Sequence, residues 1–321
     1  MRILVLGGTS FVGRAIVADA LAHGDEVTLF SRGRTGADLF PEARRLTGDR
    51  ESGDYAALGE GAWDATVDVS GYVPRHVAQA TGALGERAGR YLFISTGSVY
   101  DLARATDDLT EDAARLEPIR DTETITGDTY GRLKVACEDD VLATFGDRAT
   151  IVRPGIVGGP HDPTDRLTYW VRRAARGGQV ALPGDPDQPV QVVDAGDLAR
   201  LVMTLLAADQ SGTYNAVGPA DPVTLRELVE TCAHAAGTSV DVIPVPADSV
   251  APGFPLVLRD RAAYPLFRRN AAKARAAGMP ATPLAATATD VLAWDHARGL
   301  PALAVDLPPA REAELVAAAA L

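Results

Sequence analysis

Cysteine is nearly missing from this chain. Cys137 and Cys232 are the only two, both in apolar, helix-like settings, which excludes a disulfide framework and a metal-binding spacing and leaves buried free thiols as the expectation. Lysine is as scarce: Lys134 and Lys273 stand against 29 arginines in a Lys+Arg total of 31. A bias toward Arg and Ala accounts plainly for that ratio, yet it makes each lysine's position worth asking about. Net positive charge is absent, the formal value being −12. Binding to a nucleic-acid backbone rests on Lys and Arg displacing counterions, so no nucleic-acid partner is expected. No apolar run approaches membrane-spanning length, and the first residues enter a strand pattern with no signal-peptide layout; the expectation is a cytoplasmic protein with no membrane partner. The five histidines include no pair at metal-ligand spacing, and no metal is expected.

What is present is an ordinary globular composition, 46% hydrophobic and 23% charged over 321 residues, enough for one large domain or a domain and a half. The chain is organised around Arg2 to His23. An apolar run, RILVLG, leads into GGTSFVG at 7–13 and then an Ala-rich amphipathic run from Arg14 to His23: a buried strand, a tight turn and a helix. Gly7 and Gly8 can take backbone angles closed to other residues, and Gly13 lets the helix pack closely, so that free N–H groups and the positive helix end face a phosphate. This reads as a dinucleotide pyrophosphate site, although Ser10 stands where a middle glycine is most usual.

Strands and helices then alternate. Glu26 to Phe30 is a second strand, and at its end Ser31-Arg32-Gly33-Arg34 replaces the Asp or Glu that would hold the ribose hydroxyls of NAD. No carboxylate there repels a 2′-phosphate, and a guanidinium can hold one, so NADP is favoured with NAD possible; two solvated loop arginines are the plain alternative. Arg44 to Leu46 is a short strand leading to Asp49, which could approach the adenine edge. Trp63 to Val69, Arg90 to Ser95 and Ala149 to Arg153 read as strands, Val73 to Ala88 and Asp128 to Phe145 as helices. The acidic connection from Asp101 to Gly127 is long enough to be functional or mobile. Together these give an α/β fold, a Rossmann-type doubly wound parallel sheet, with a smaller C-terminal substrate-binding part.

On the helix after that connection, Tyr130 and Lys134 lie four residues apart on one face. A free phenol titrates near 10, and a nearby ammonium stabilises the phenolate. As a bare spacing the pair is also an ordinary helix surface pair. The order of parts, namely the glycine turn, the hydroxyl Thr96 after a strand, then Tyr130 and Lys134, resembles the extended short-chain dehydrogenase/reductase family, also called NAD-dependent epimerase/dehydratases. The resemblance continues through Arg153 to Pro160, similar to an RPxxxxGP turn, and Val190 to Leu198, covering Met1 to about Trp294.

The resemblance implies catalytic roles for Tyr130, Lys134 and Thr96, with Ser98 as the rival hydroxyl on the same face of an extended continuation. It implies hydride transfer between the nicotinamide and a carbinol or carbonyl carbon, Tyr130 exchanging the proton. Residues expected around the dinucleotide are Gly7, Thr9, Ser10, Phe11, Val12, Gly13, Ser31, Arg32, Asp49, Lys134 and Pro154. The division expected is 1–160 for the dinucleotide and 161–321 mainly for substrate, with segments near 190–218 returning to the first body. There, Asp165 to Arg176, Ala195 to Ala207, Leu225 to Ala236, Asn270 to Gly278, Ala285 to Ala297 and Pro309 to Leu321 read as helices. Gln191 to Val193, Thr213 to Val217 and Val240 to Pro244 read as strands, and Pro246 to Pro265 as a covering loop or linker. Tyr169, Trp170 and Trp294 could line a pocket but suit a core. His161 is the histidine near the expected site, with a structural role the plainer reading.

Two departures bear on substrate: Gly155 stands near a place where sugar-nucleotide members commonly have asparagine, and Val190 where they use an arginine. The reading is an NADP-preferring oxidoreductase of a small molecule, monomer or homodimer. Alternatives are an epimerase or dehydratase of a sugar or nucleotide-sugar, or a non-catalytic NADP-sensing protein. An RNA-binding role, found in some distant relatives with this glycine turn, conflicts with the acidic charge.

Overall fold

The computed structural model describes residues 1–105, 108–219 and 222–319. In chain order the strands and helices are β1 (Arg2–Leu6), α1 (Phe11–Ala22), β2 (Glu26–Ser31), β3 (Arg44–Thr47), β4 (Trp63–Asp68), α2 (Pro74–Leu84), β5 (Ala88–Ile94), α3 (Gly127–Phe145) and β6 (Ala149–Pro154). There follow β7 (Ile156–Gly158), α4 (Arg166–Ala175), β8 (Gly178–Pro183), β9 (Pro189–Val190), β10 (Val192–Asp194), α5 (Ala195–Ala207) and β11 (Gly212–Ala216). Last come β12 (Val223–Thr224), α6 (Leu225–Ala235), β13 (Val240–Val245), α7 (Ala272–Ala276), α8 (Leu284–Ala297) and α9 (Pro309–Ala319). The chain forms two compact units, one of Met1–Gly155, Gly196–Ala216 and Asn270–Pro280, the other of Ile156–Ala195, Val217–Arg269 and Ala281–Leu321.

In the first unit seven strands form one sheet in the order β11-β6-β5-β4-β1-β2-β3, every neighbouring pair parallel. The order reverses beside β1, with β2 to one side and β4 to the other, and such a switch point is where an open α/β sheet binds ligands beyond its strand ends. The expected doubly wound α/β fold is what the chain adopts. Central strands are continuous apolar runs because both faces of a parallel sheet are covered: Ile3 to Leu6, Tyr91 to Phe93 and Ile151 to Val152 are all fully buried. The second unit has its own core, in which Trp170, Leu182, Leu228 and Val291 are buried together.

Several expected boundaries shift for physical reasons. Helix α1 begins at Phe11 rather than Arg14, so Gly13 lies inside its first turns. The helix expected to reach Ala88 stops at Leu84, because a tight turn at Gly85–Arg87 returns the chain to β5, which starts at Ala88. The strand expected at Gln191 to Val193 is interrupted at Gln191. The buried amide of that residue bonds both the carbonyl and the N–H of Arg269, at 3.0 Å each, so its segment is held by a side chain rather than a ladder. Strand β8, parallel to β13 over six residue pairs, was not anticipated; Gly177 before it, Gly178 at its first position and Gly184 after it masked a short apolar run. The helix expected from Asn270 to Gly278 is reduced to α7. The last two positions of the helix expected to end at Leu321 lie outside the described residues, as do Thr106 and Asp107 of the acidic connection.

That connection is anchored at Asp101 and from Leu109 to Leu116. Leu116 N–H donates to the Val99 carbonyl and Asp101 N–H to Ala114, Arg153 donates to the Glu111 carbonyl, and the Asn215 amide reaches the Leu109 carbonyl. Leu109 is fully buried. The middle of the segment between β5 and α3 is thus bonded to side chains of the sheet's β6 and β11 strands, which gives a course to a stretch whose sequence shows no period.

Candidate functional site

The turn after β1 is built on glycine. Gly7 and Gly8 have φ of +106° and +98°, in the region that L side chains avoid. A Cβ on Gly13 would lie 2.8 Å from the Gly8 backbone, so this glycine lets α1 close on the turn itself rather than on the strand. Phe11 opens the helix at φ +32°, a strained conformation of the kind that clusters at ligand sites. Ser10, in extended conformation, lends no side-chain cap, and the first turn of α1 carries no acidic residue. A helix start with orphan N–H groups and no carboxylate suits an anion. Thr9 lies across from Thr35, their hydroxyls 3.4 Å apart, so the exposed loop after β2 reaches this turn. Ser31 ends β2 and its hydroxyl accepts from Gly33 N–H at 3.2 Å; Arg32 and Arg34 are exposed. Asp49 uses Oδ1 to accept Glu51 N–H at 3.1 Å, closing the turn after β3. Pro154 ends β6 opposite Ala216.

Thr96 and Ser98 do not continue the strand. The chain turns at Gly97–Val99, and Thr96 Oγ1 accepts Ser98 N–H at 3.2 Å while the two hydroxyls sit 3.3 Å apart. The expected shared strand face is replaced by a local turn that still brings both hydroxyls together. Helix α3 packs directly on this turn: a Cβ at Gly131 would stand 2.1 Å from the Ser98 carbonyl oxygen, so only glycine at that place allows the approach. Thr126 caps α3 by a reciprocal pair of bonds with Thr129, fixing the turn from which half-buried Tyr130 projects.

Lys134 is 3% exposed. Its Nζ donates to the Gly71 carbonyl at 2.7 Å and the Ile94 carbonyl at 2.8 Å, and stands 3.9 Å from the Phe93 ring centroid. An ammonium has three donors, and these bonds engage two. Burial pulls its pKa down to about 8, against smaller upward pulls from Cys137, Asp68 and Glu138. Between about 8 and the ordinary lysine value the unfolded chain holds more protons here than the folded one, so this group makes stability rise with pH across that window.

Beneath these residues lie two buried ionic groups that the sequence reading passed over. Glu138, fully buried, accepts from Arg153 Nε at 2.9 Å and Nη2 at 2.7 Å, from Arg115 at 3.0 Å, and from the Ser95 hydroxyl at 2.6 Å. Arg153 also donates to the Tyr100 hydroxyl at 3.0 Å, which itself donates to Asn215 Oδ1 at 2.6 Å. Thr96 therefore follows a residue locked to this network. At the end of β4, Asp68 accepts from Arg50 Nη1 and Nη2, at 2.7 and 2.9 Å, and from the Tyr91 hydroxyl at 2.7 Å. Burial works against that carboxylate, but Arg50, the Tyr91 hydroxyl and the Ser70 N–H together hold its pKa below the usual range. The signal was there: Glu138 lies four residues beyond Lys134, on the same helix face.

In the second unit, Tyr169 and Trp170 are core residues, 2% and 0% exposed, with ring centroids 4.9 Å apart; they do not line an open pocket. His161 packs edge-on against Trp294, centroids 5.3 Å apart. Val190 is fully buried in the β9–β12 pair. Cys137 and Cys232 are free and buried, and burial pushes both thiols up to about 12. Among the described residues no group of His, Cys, Asp and Glu could hold a metal ion, and no helix is long and apolar enough to cross a membrane.

A parallel sheet with a glycine turn at its switch point and a Tyr-x-x-x-Lys helix beside it defines a class of dinucleotide-dependent proteins. The chain belongs to the NAD dependent epimerase/dehydratase family, whose profile matches residues 3–217. It is similar to the chloroplast stem-loop binding protein of 41 kDa b of Arabidopsis thaliana, 25% identical over 254 residues, covering 74% of this chain and 63% of that one, less than two thirds of its length. It is also similar to 2′-dehydrokanamycin reductase of Streptomyces kanamyceticus, 28% identical over 258 residues, covering 77% of this chain and 70% of the relative. Among solved structures, UDP-glucuronic acid 4-epimerase from Bacillus cereus in complex with NAD superposes with a TM-score of 0.70 at 14% identity, covering 92% and 99% of the two chains. That likeness is one of fold.

Proposed function

We propose that this family member is an NADP-preferring oxidoreductase that moves a hydride at a carbinol or carbonyl carbon of a small molecule. The observation that carries the reading is the seat of Lys134: a buried ammonium, held by two carbonyls with a donor to spare, four residues from Tyr130 on α3. Bound at the Gly7–Gly13 turn, the dinucleotide would supply the hydride donor or acceptor. Thr9, Ser10, Phe11 and Val12 would meet its pyrophosphate through backbone N–H groups, Asp49 its adenine, and Pro154 and the third Lys134 donor its nicotinamide end. Arg32, after Ser31, would hold a 2′-phosphate by charge-assisted bonds. Tyr130 would give or take the oxygen's proton, Thr96 would hydrogen-bond that oxygen, and the Lys134 charge would stabilise the phenolate. In this reading 1–160 serves the dinucleotide and 161–321 mainly the substrate, and the net charge of −12 argues against a nucleic-acid partner.

The second reading is an epimerase or dehydratase that returns the hydride, favoured by similarity to UDP-glucose 4-epimerase of Corynebacterium glutamicum, 25% identical over 294 residues. Nicotinamide absorbance followed during product formation separates the two. One NADPH consumed or formed per product is expected; product in large excess over any change in cofactor would establish the returning enzyme.

A further inference from the structure

Arg75 joins three segments of the first unit. Its Nε and Nη2 clasp the Glu123 carboxylate at 2.6 and 2.8 Å, and its Nη1 donates to the Glu51 carbonyl at 3.2 Å and the Arg50 carbonyl at 3.4 Å. The turn after β3, the start of α2 and the stretch leading into α3 thus meet at one guanidinium. That stretch is tethered to α3 at both ends: Arg120 Nη1 and Nη2 donate to Asp140 at 3.0 and 2.8 Å, and the Thr129 hydroxyl donates to the Thr124 carbonyl at 2.6 Å. Between those tethers, the tie to α2 is the clasp on Glu123.

One more contact makes the clasp sensitive to charge. Arg75 Nη2 lies 3.2 Å from His76 Nε2. Arginine has donors and no acceptor, so the imidazole nitrogen accepts, which requires the neutral ring with its proton on Nδ1. His76 is 6% exposed and third in α2, where the positive helix end opposes a further cation. Its carbonyl accepts from Arg50 Nη2 at 3.2 Å and from the Tyr55 hydroxyl at 2.9 Å, and Arg50 is itself paired with buried Asp68, so the residue is held in place beside Arg75. The charged groups facing the ring are Arg75 on its own helix, Arg50 and Glu51 from the turn after β3, and Glu123 from the stretch before α3; the Glu51 carboxylate stands 3.7 Å from Nε2. Burial, then Arg50 and less so Arg75, pull the His76 pKa below the ordinary histidine value, while Glu51 and Glu123 oppose.

We propose that Arg75 and His76 form an acid-sensitive latch: the neutral imidazole holds Arg75 on Glu123, and protonation of the ring turns the arginine away and frees residues 121–125, the lead-in to the α3 N-cap Thr126. A proton on Nε2 removes the acceptor and sets two cations at hydrogen-bond distance, with the Glu51 carboxylate placed to take the new imidazolium. An exposed ion pair such as Arg75–Glu123 is worth little, which is what lets one adjacent like charge undo it. The clasp's own partners keep their charge in mild acid, because their mutual hydrogen bonds hold the Glu123 pKa below the usual carboxylate range and raise that of Arg75. Between the lowered His76 value and the ordinary one the unfolded chain binds this proton and the folded chain does not, so the stability carried by the neutral ring is lost as pH falls from about 6.5 toward the lowered value. The latch requires no role for Tyr130.

The test is NMR of the full chain at about pH 7.5 and about pH 5, on either side of the ordinary histidine value, reading the His76 ring nitrogens and the backbone order parameters of residues 121–125. A neutral ring protonated on Nδ1 is expected at the higher pH, and order parameters that fall from about 0.85 to below about 0.6 at the lower one. His76→Gln, which keeps an acceptor and carries no charge, should stay ordered at both; Glu123→Gln, which breaks the clasp, should be loose at both. A ring protonated on Nε2 at the higher pH, order unchanged by acid, a His76→Gln chain that loosens in acid as the unsubstituted one does, or a Glu123→Gln chain still ordered at the higher pH overturns the latch. Should His76→Gln fail to fold, the unsubstituted protein and Glu123→Gln decide it alone.

Discussion

The turn that follows β2 and the ground beneath Thr96 and Lys134 are held in opposite ways. From Ser31 to Gly36 the chain is mostly exposed, kept in place by Ser31 on Gly33 N–H, the Thr9–Thr35 contact and Arg45 reaching the Gly36 carbonyl at 3.2 Å. Its arginines meet solvent. Under Thr96 and Lys134, by contrast, Glu138 and Asp68 are fully buried charges with every approach filled by Arg153, Arg115, Ser95, Arg50 or Tyr91. The difference teaches where this protein can change. On the proposed reading, the residue that would choose between two cofactors sits where substitution disturbs little else, while Thr96 and Lys134 stand on buried ion networks that losing one member would destabilise.

Removing one member of the network should give the largest effect. Glu138→Ala leaves Arg153 and Arg115 facing an empty buried site and should lower stability by about 3–5 kcal/mol in urea denaturation; a loss within the scatter of surface substitutions would mean that the network is not what holds this region. Tyr130→Phe should keep NADPH affinity and lower turnover about 10²-fold or more, and preserved turnover with any substrate would make Tyr130 a bystander. Gly131→Ala should cost about 1–3 kcal/mol by pushing α3 off the Ser98 carbonyl, read as a lower denaturation midpoint with a reduced rate; an unchanged midpoint would show that the contact can relax. Smallest is Arg32→Ala, which should leave the fold intact and reduce the preference for NADPH over NADH by roughly tenfold, about the worth of one charge-assisted bond. Melting shifts with the two reduced cofactors measure it, and equal shifts in the unsubstituted protein would remove Arg32 from the role.

The same contrast governs how readily each part could be read. Strands such as RILVL and YLFI announce themselves because burial on both faces demands uninterrupted apolar residues, and α5 was expected at its observed limits of Ala195 and Ala207. The acidic stretch 101–127 has no period, so its course was illegible: its middle is held by side chains far away in sequence, Arg153 and Asn215 among them. Val99 and Leu116 likewise meet only because the chain folds back.

By itself, then, the sequence determined the parallel sheet, the glycine turn and the spacing of Tyr130 to Lys134, because these depend on local backbone freedom, helix periodicity and apolar runs. Tertiary structure alone decided that Gly13 closes on Gly8 and Gly131 on Ser98, that Lys134 lies buried between the carbonyls of Gly71 and Ile94, and that Glu138 gathers two arginines and a serine. Each of these is a meeting of residues distant along the chain or a contact set by a turn's final shape, and the balance of burial against pairing that gives a buried charge its character exists only once the partners have met.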